Sequence, residues 1–272
     1  MNIRQTKWVI FTDLDGTLLD EKTYRASTEA LEICKNSGFA VVFVSSKTMA
    51  EIEKLRMELD NRDPFVSENG GGVFLPVASW KKPEGAIRSG HYWLMRLGTD
   101  RRILLSRLRE AARAAGVEVK GFSDMDEHEI ASLTGLPPED VRLAQRRQFD
   151  EPFIIINENP EAIQRIRQEI EKTGLKYARG GRFHHITGTS DKGHAVSFLR
   201  KLYTSKDPSL RFAAIGDTSQ DTPMLKAADM AFLVRRPNGE PDPEAVQDGI
   251  IVTKGIGPEG FKEVVAFLSY KL

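Results

Sequence analysis

The stretch Trp8-Val9-Ile10-Phe11-Thr12-Asp13-Leu14-Asp15-Gly16-Thr17 decides how the rest of the chain is read. Its unbroken apolar run closing on Thr12 predicts a strand buried on both faces, the pattern of a parallel sheet covered by helices. Asp13 and Asp15 then stand two residues apart, so on extended backbone their side chains point the same way. Gly16 lets the chain turn with its amides toward a bound anion. The carboxyl end of a strand is where open α/β sheets bind ligands. Two acids so close repel unless a cation or a shared proton intervenes, and hard carboxylate oxygens suit Mg²⁺. The same letters also make capped turns and open calcium loops, but no glutamate stands where a calcium loop would need its last ligand.

Outward from this stretch, residues 25–37 show helical spacing at Ala26, Ala30, Ile33 and Cys34 before Gly38 stops the helix. Residues 39–44 predict a second buried strand, Thr48 with Glu51 a capped helix, and Phe65-Val66 a third strand. From about Trp80 the texture changes. A helix is predicted over 100–115, a strand near 117–122, and two short helices across 127–146 broken by Gly135-Leu136-Pro137-Pro138. A strand over 153–157, a helix over 160–172 and a strand pair over 175–187 follow. The first rhythm resumes at Asp191 and runs to a last helix after Pro258. The expected architecture is α/β: a doubly wound, Rossmann-like parallel-sheet core made of residues 1–79 and 188–272, with an α+β cap inserted over 80–187.

Bulk properties narrow the function classes. The 272 residues are 40% hydrophobic and 29% charged, which suits a globular chain with a core and one smaller unit. Lysine plus arginine and aspartate plus glutamate each total 39, so no net field favours nucleic acid or an anionic membrane. No apolar run approaches the length of a membrane span. The single cysteine, Cys34, falls on the apolar face of its helix and reads as a buried thiol in a reducing compartment.

Three further loops sit where chemistry is expected. Gly216-Asp217-Thr218-Ser219-Gln220-Asp221 follows the apolar run Phe212-Ala213-Ala214-Ile215, so Asp217 can supply a second carboxylate to a metal held by Asp13, with Gln220 and Asp221 supporting it from outside. Ser45-Ser46-Lys47-Thr48 ends the second strand and offers a hydroxyl and amides near a helix start. Asp191-Lys192-Gly193 opens a helix on re-entry to the core, where a lysine can neutralise a phosphate. Each loop taken alone is also an ordinary helix cap.

Together and in this order the four loops resemble the haloacid dehalogenase superfamily of phosphotransferases, in the branch that holds sugar-phosphate phosphatases and phosphomannomutases. Ser46-Lys47-Thr48, Glu68-Asn69-Gly70-Gly71, Leu133-Thr134-Gly135-Leu136, Phe149-Asp150-Glu151, Gly181-Arg182-Phe183-His184 and Gly257-Pro258-Glu259-Gly260 narrow the resemblance to the mannosyl-3-phosphoglycerate phosphatases. The resemblance implies a Mg²⁺-dependent phosphomonoester hydrolase with Asp13 as nucleophile and Asp15 as general acid and base. Ser45 and Lys192 would hold the phosphoryl group. Mg²⁺ would be bound by Asp13, the Asp15 carbonyl and Asp217. The implied substrate is a small phosphorylated sugar-type metabolite, with Lys47, Glu68, Asn69, Gly70, Arg182, His184 and His185 as candidate contacts. Gln220 stands where related chains usually carry asparagine. Phosphatases of other sugar phosphates, a phosphomannomutase and a non-catalytic metabolite sensor are the competing readings.

Overall fold

The protein is described here by a computed structural model covering residues 7–180 and 182–270. The stretch quoted first forms β1 (Trp8–Thr12), buried at every position. After it come α1 (Thr28–Asn36), β2 (Ala40–Val44), α2 (Met49–Glu58), β3 (Phe65–Ser67) and β4 (Gly72–Pro76). An exposed short strand, β5 (Ile87–Ser89), and β6 (Tyr92–Arg96) make a hairpin. The chain then runs through α3 (Arg101–Ala115), β7 (Val119–Gly121), α4 (Glu127–Thr134), α5 (Pro138–Ala144), β8 (Asp150–Ile155), α6 (Pro160–Lys172), β9 (Lys176–Gly180) and β10 (Phe183–Thr187). It closes with α7 (Lys192–Lys206), β11 (Arg211–Gly216), α8 (Thr222–Lys226), β12 (Met230–Arg235), β13 (Ile250–Ile256) and α9 (Pro258–Tyr270).

Two sheets organise these elements. The larger has nine strands in the order β13-β12-β11-β1-β2-β3-β4-β6-β5. Its strands from β13 to β3 are parallel, and β4, β6 and β5 add antiparallel pairs at one edge. The hairpin β5–β6 therefore continues the larger sheet past residue 80, where the insertion was expected to begin. The smaller sheet is antiparallel, in the order β7-β8-β10-β9.

β1 shows how sequence becomes architecture. Its alternate side chains enter two cores: Trp8 and Ile10 pack with Ala30, Cys34, Ile52 and Phe261 on one face, while Val9 and Phe11 pack with Ala195, Leu199 and Met224 on the other. Helices cover both faces, which is why the run is apolar without alternation. A separate core of Leu104, Leu108, Phe153, Ile155, Ile166, Ile170 and Ile186 joins α3 and α6 to one face of the smaller sheet. Among the described residues no helix is long and apolar enough to cross a membrane.

Strand order reverses around β1: the chain before the insertion builds outward through β2 and β3, and the chain after it through β11 and β12. Such a switch point opens a crevice at the carboxyl ends of its strands. The turn after β3 closes against that crevice. Glu68 and Asn69 adopt φ of 48° and 53°, and Gly70 adopts 101°. A Cβ on Gly70 would stand 2.1 Å from the Asp191 carbonyl oxygen, just before α7. The residue expected to touch ligand is thus a point of close backbone contact. Gly70→Ala should lower the unfolding free energy by about 2 kcal/mol or more for strain at such a position, seen as a lower urea midpoint with the m-value kept. A variant as stable as the parent would show that the contact is dispensable.

Candidate active site

Asp13 and Asp217 emerge side by side because β1 and β11 are hydrogen-bonded neighbours in register, Thr12 against Ile215, and the Asp13 amide donates to the Ile215 carbonyl at 2.9 Å. Two glycines permit the approach. A Cβ on Gly16, whose φ is +78°, would stand 2.7 Å from Asp217 Oδ2, and one on Gly216 would stand 2.5 Å from the Asp221 Cβ. Asp221 is folded back under its own loop, its Oδ2 accepting from the Asp217 and Thr218 amides at 3.1 and 3.2 Å. Thr17 donates to Asp217 Oδ1 at 3.4 Å.

One buried cation faces this group. Lys192, the first residue of α7, donates to Asp13 Oδ1 at 2.6 Å and to Asp221 Oδ1 at 2.7 Å. Gly193 allows this placement, since a Cβ there would stand 2.5 Å from the Pro223 carbonyl oxygen of α8. Burial alone would lower the Lys192 pKa, but the two carboxylates outweigh it and raise it. The acids are pushed the other way. Burial foremost raises Asp13 to about 7, against the pull of Lys192 and with Asp221 and Asp15 adding to it. Burial, then the charges of Asp13 and Asp221, raise Asp217 to about 8.

Carboxylate oxygens of Asp13, Asp217 and Asp221 all lie within 4.8 Å of one another. Three acids around one ammonium leave negative charge uncompensated, and the all-oxygen donor set suits a hard divalent cation. The cluster therefore fits Mg²⁺, which Asp13 and Asp217 would hold.

Asp15 lies across the loop, with Lys47 Nζ 2.9 Å from its Oδ2, while its Oδ1 is buried and has no hydrogen-bond partner. Ser45 is buried at the end of β2, next to β1 in the sheet, and its Oγ accepts from the Lys47 amide at 3.2 Å. Thr48 caps α2 in a capping box with Glu51. Gln220 is exposed and lines the neighbouring cavity. Its side chain makes no hydrogen bond to a carboxylate; Thr17 donates to Asp217 Oδ1 and the loop amides to Asp221 Oδ2.

That cavity, of about 320 Å³, opens beside Lys192 between the two sheets. Asn69 lines it, with an Oδ1 that is buried and without a partner. Arg147, Lys176, His185 and Thr187 also line it. The other five expected contacts are not in its lining: Lys47 pairs with Asp15, Gly70 packs on the Asp191 backbone, and His184, Arg182 and Glu68 have partners of their own. His184 is fully buried on the opposite side of β10, between Tyr177 Oη at 2.5 Å and Glu158 Oε2 at 3.1 Å. Alternation along the strand explains it: His185 and Thr187 face the cavity, so His184 and Ile186 face the helices. Arg182 shares the parity of His184 and donates instead to the Leu133 carbonyl at 2.9 Å. Glu68 accepts from the Gln148 and Phe149 amides at 3.0 and 2.7 Å and tethers the segment that enters β8. Arg147 and Lys176 carried no signal of their own; only the register of β9 on β10 and the path into β8 bring them here.

The first part of the chain, residues 10–82, matches the family described as haloacid dehalogenase-like hydrolase. Over 262 residues the chain is 37% identical to the glucosyl-3-phosphoglycerate/mannosyl-3-phosphoglycerate phosphatase of Methanococcoides burtonii, covering 95% of this chain and 96% of that one. Over 227 residues it is 34% identical to the mannosyl-3-phosphoglycerate phosphatase of Pyrococcus furiosus, covering 83% and 90%. Among solved structures, a haloalkanoate (HAD) superfamily phosphatase from Bacteroides thetaiotaomicron superposes with a TM-score of 0.69 at 18% identity over 98% of this chain and 97% of that one, which establishes the fold.

The raised acids give a pH dependence with a definite sign. Both have folded-state values above their ordinary 3.8, so folding favours their protonated forms. That stabilisation is complete below about pH 4 and is lost as pH rises through about 7 to 8. Mg²⁺ would bind the ionised cluster and should raise Tm more at about pH 8.5 than at about pH 6. A Mg²⁺-induced shift that is absent, or equal at both pH values, would contradict this picture of the cluster.

Proposed function

The chain belongs to the haloacid dehalogenase-like hydrolases, and from that premise we propose that it is a Mg²⁺-dependent phosphatase acting through an aspartyl-phosphate on Asp13, with mannosyl-3-phosphoglycerate as substrate. The observation that carries this is the buried Asp13 carboxylate held by Lys192 beside Asp217 and Asp221. The names of the relatives supply the substrate. Because the Methanococcoides burtonii relative is named for both sugars, hydrolysis of the glucosyl counterpart is a second reading.

In this mechanism a carboxylate oxygen of Asp13 attacks phosphorus, and the bond from phosphorus to the leaving oxygen breaks. Asp15 gives that oxygen a proton, and its unpartnered Oδ1 is the atom free to do so. Water then attacks phosphorus, Asp15 takes its proton back, and phosphate leaves with Asp13 restored. Ser45 and Lys192 hold the phosphoryl oxygens, on which transition-state charge is spread. Mg²⁺, when bound, offsets the charge of the phosphate and the nucleophile together. We assign leaving-group recognition to the inserted layer built on the smaller sheet, and place the reaction in the cytoplasm.

Phosphate release with mannosyl-3-phosphoglycerate, its glucosyl counterpart and mannose 6-phosphate, with and without Mg²⁺, tests this reading. The glycosyl phosphoglycerates should be preferred and chelation should silence the reaction. Asp13→Asn should lower kcat by at least about 10⁴-fold, as removal of a nucleophile does, with its thermal unfolding still cooperative. Comparable turnover by that variant, or preference for the simple sugar phosphate, would overturn the reading.

A further inference from the structure

Phe149-Asp150-Glu151 lies outside the four phosphate-handling loops, yet each of its side chains is buried at the junction between the two sheets. Phe149 fills the space that Gly71, Gly72 and Gly98 leave open, where added Cβ atoms would stand 2.3 to 2.9 Å from it. Glu151 binds Arg101 and accepts from the Ser123 amide at 2.8 Å. Asp150 does something different, because both of its partners face the cavity. Arg147 donates to its Oδ2 at 2.6 Å, and His185 Nδ1 stands 3.0 and 3.1 Å from its two oxygens.

An ionised carboxylate only accepts hydrogen bonds, so Nδ1 of His185 carries a proton and Nε2 is left for the cavity. Burial would raise the Asp150 pKa, but His185 and Arg147 outweigh it and lower it, keeping the group ionised. Nε2 lies beside Gly180, where a Cβ would stand 3.4 Å from it, and both residues line the cavity. Arg147 has its Nε buried and without a partner. Lys176 stands on the same wall, with Nζ 3.8 Å from Asp191. Arg147, Lys176 and His185 thus line one cavity with Lys192, and Lys192 is already engaged by two acids, Asp13 and Asp221.

We propose that Arg147 and His185 form a subsite for a carboxylate on the leaving group of the substrate, and that Asp150 is the positioning residue that fixes both. The inference rests on the phosphatase reading for the placement of the phosphoryl group, and adds which side chains receive the carboxylate of the leaving group and which residue positions them. Asp150 touches no substrate atom; it holds the Arg147 guanidinium and sets the His185 ring.

The test compares two ligands that differ only in the carboxylate, 3-phosphoglycerate and glycerol 3-phosphate. Their Kd values are measured calorimetrically with Mg²⁺ on an Asp13→Asn background, so that nothing turns over. The Asp13→Asn protein should bind 3-phosphoglycerate more tightly by about tenfold or more, as one charge-assisted hydrogen bond allows. Adding Asp150→Asn should bring the two Kd values within about threefold of each other, because the site loses its organiser. His185→Ala and Arg147→Gln should do the same, and they carry the test if the Asp150 variant does not fold. Arg182→Ala should keep the full ratio. The ratio divides out any loss shared by both ligands, so an equal weakening in the variants overturns the proposal. So does a starting protein that binds the two alike or binds neither. Should the ratio behave as stated while the parent hydrolyses no glycosyl phosphoglycerate, the carboxylate subsite stands and the assigned substrate falls.

Discussion

Three buried carboxylates share one buried ammonium where β1 and β11 end, and the rest of the molecule is arranged around that imbalance. Asp13, Asp217 and Asp221 bring their oxygens within 4.8 Å of one another, while Lys192 reaches only Asp13 and Asp221. Burying an uncompensated charge is costly, and an acid in that position shifts its pKa instead. A divalent cation would remove the imbalance, and a phosphoryl group could then sit against Lys192 without meeting three naked acids. The arrangement that strains the metal-free protein is the one that suits phosphoryl transfer.

The geometry needs a particular chain path. Gly16, Gly216 and Gly193 stand where any Cβ would strike Asp217, Asp221 or Pro223, so the acidic loops and the start of α7 close to distances that other residues would forbid. β1 must be flanked by both β2 and β11 for Ser45 and Asp217 to reach the same crevice, and this requires the chain to leave the larger sheet and return. The departure is what supplies the second layer. Asp150, at the beginning of β8, joins the return of β10 to the segment carrying Arg147, so the junction between the layers is polar where it meets the cavity.

Much of this was legible in the sequence because burial leaves a mark. Runs such as Val41-Val42-Phe43-Val44 and Phe212-Ala213-Ala214-Ile215 are apolar on both faces, so their strands and the polar loops after them, one of hydroxyls and one of acids, could be read directly. The hairpin at 87–96 was not, since Ile87-Arg88-Ser89 is short, exposed and without alternation. Adjacent His184 and His185 differ only in parity, and nothing local to the sequence says which faces a cavity; the pairing of β10 with β8 and β9 decides it. Glu68 looked like a ligand for hydroxyls because acids near active-site loops often are, but its oxygens are taken by backbone amides eighty residues on. Arg147 was hidden in the charged run Arg146-Arg147-Gln148, where only tertiary structure separates a solvated arginine from a buried one.

The central claim is that phosphorus is passed through Asp13, and the acyl phosphate can be caught. An acid-quenched reaction with Mg²⁺ and mannosyl-3-phosphoglycerate, reduced with borohydride, converts a phosphorylated aspartate to homoserine that peptide mass spectrometry can place. The account predicts homoserine at position 13. Homoserine at another aspartate, or none while phosphate is being released, would contradict it.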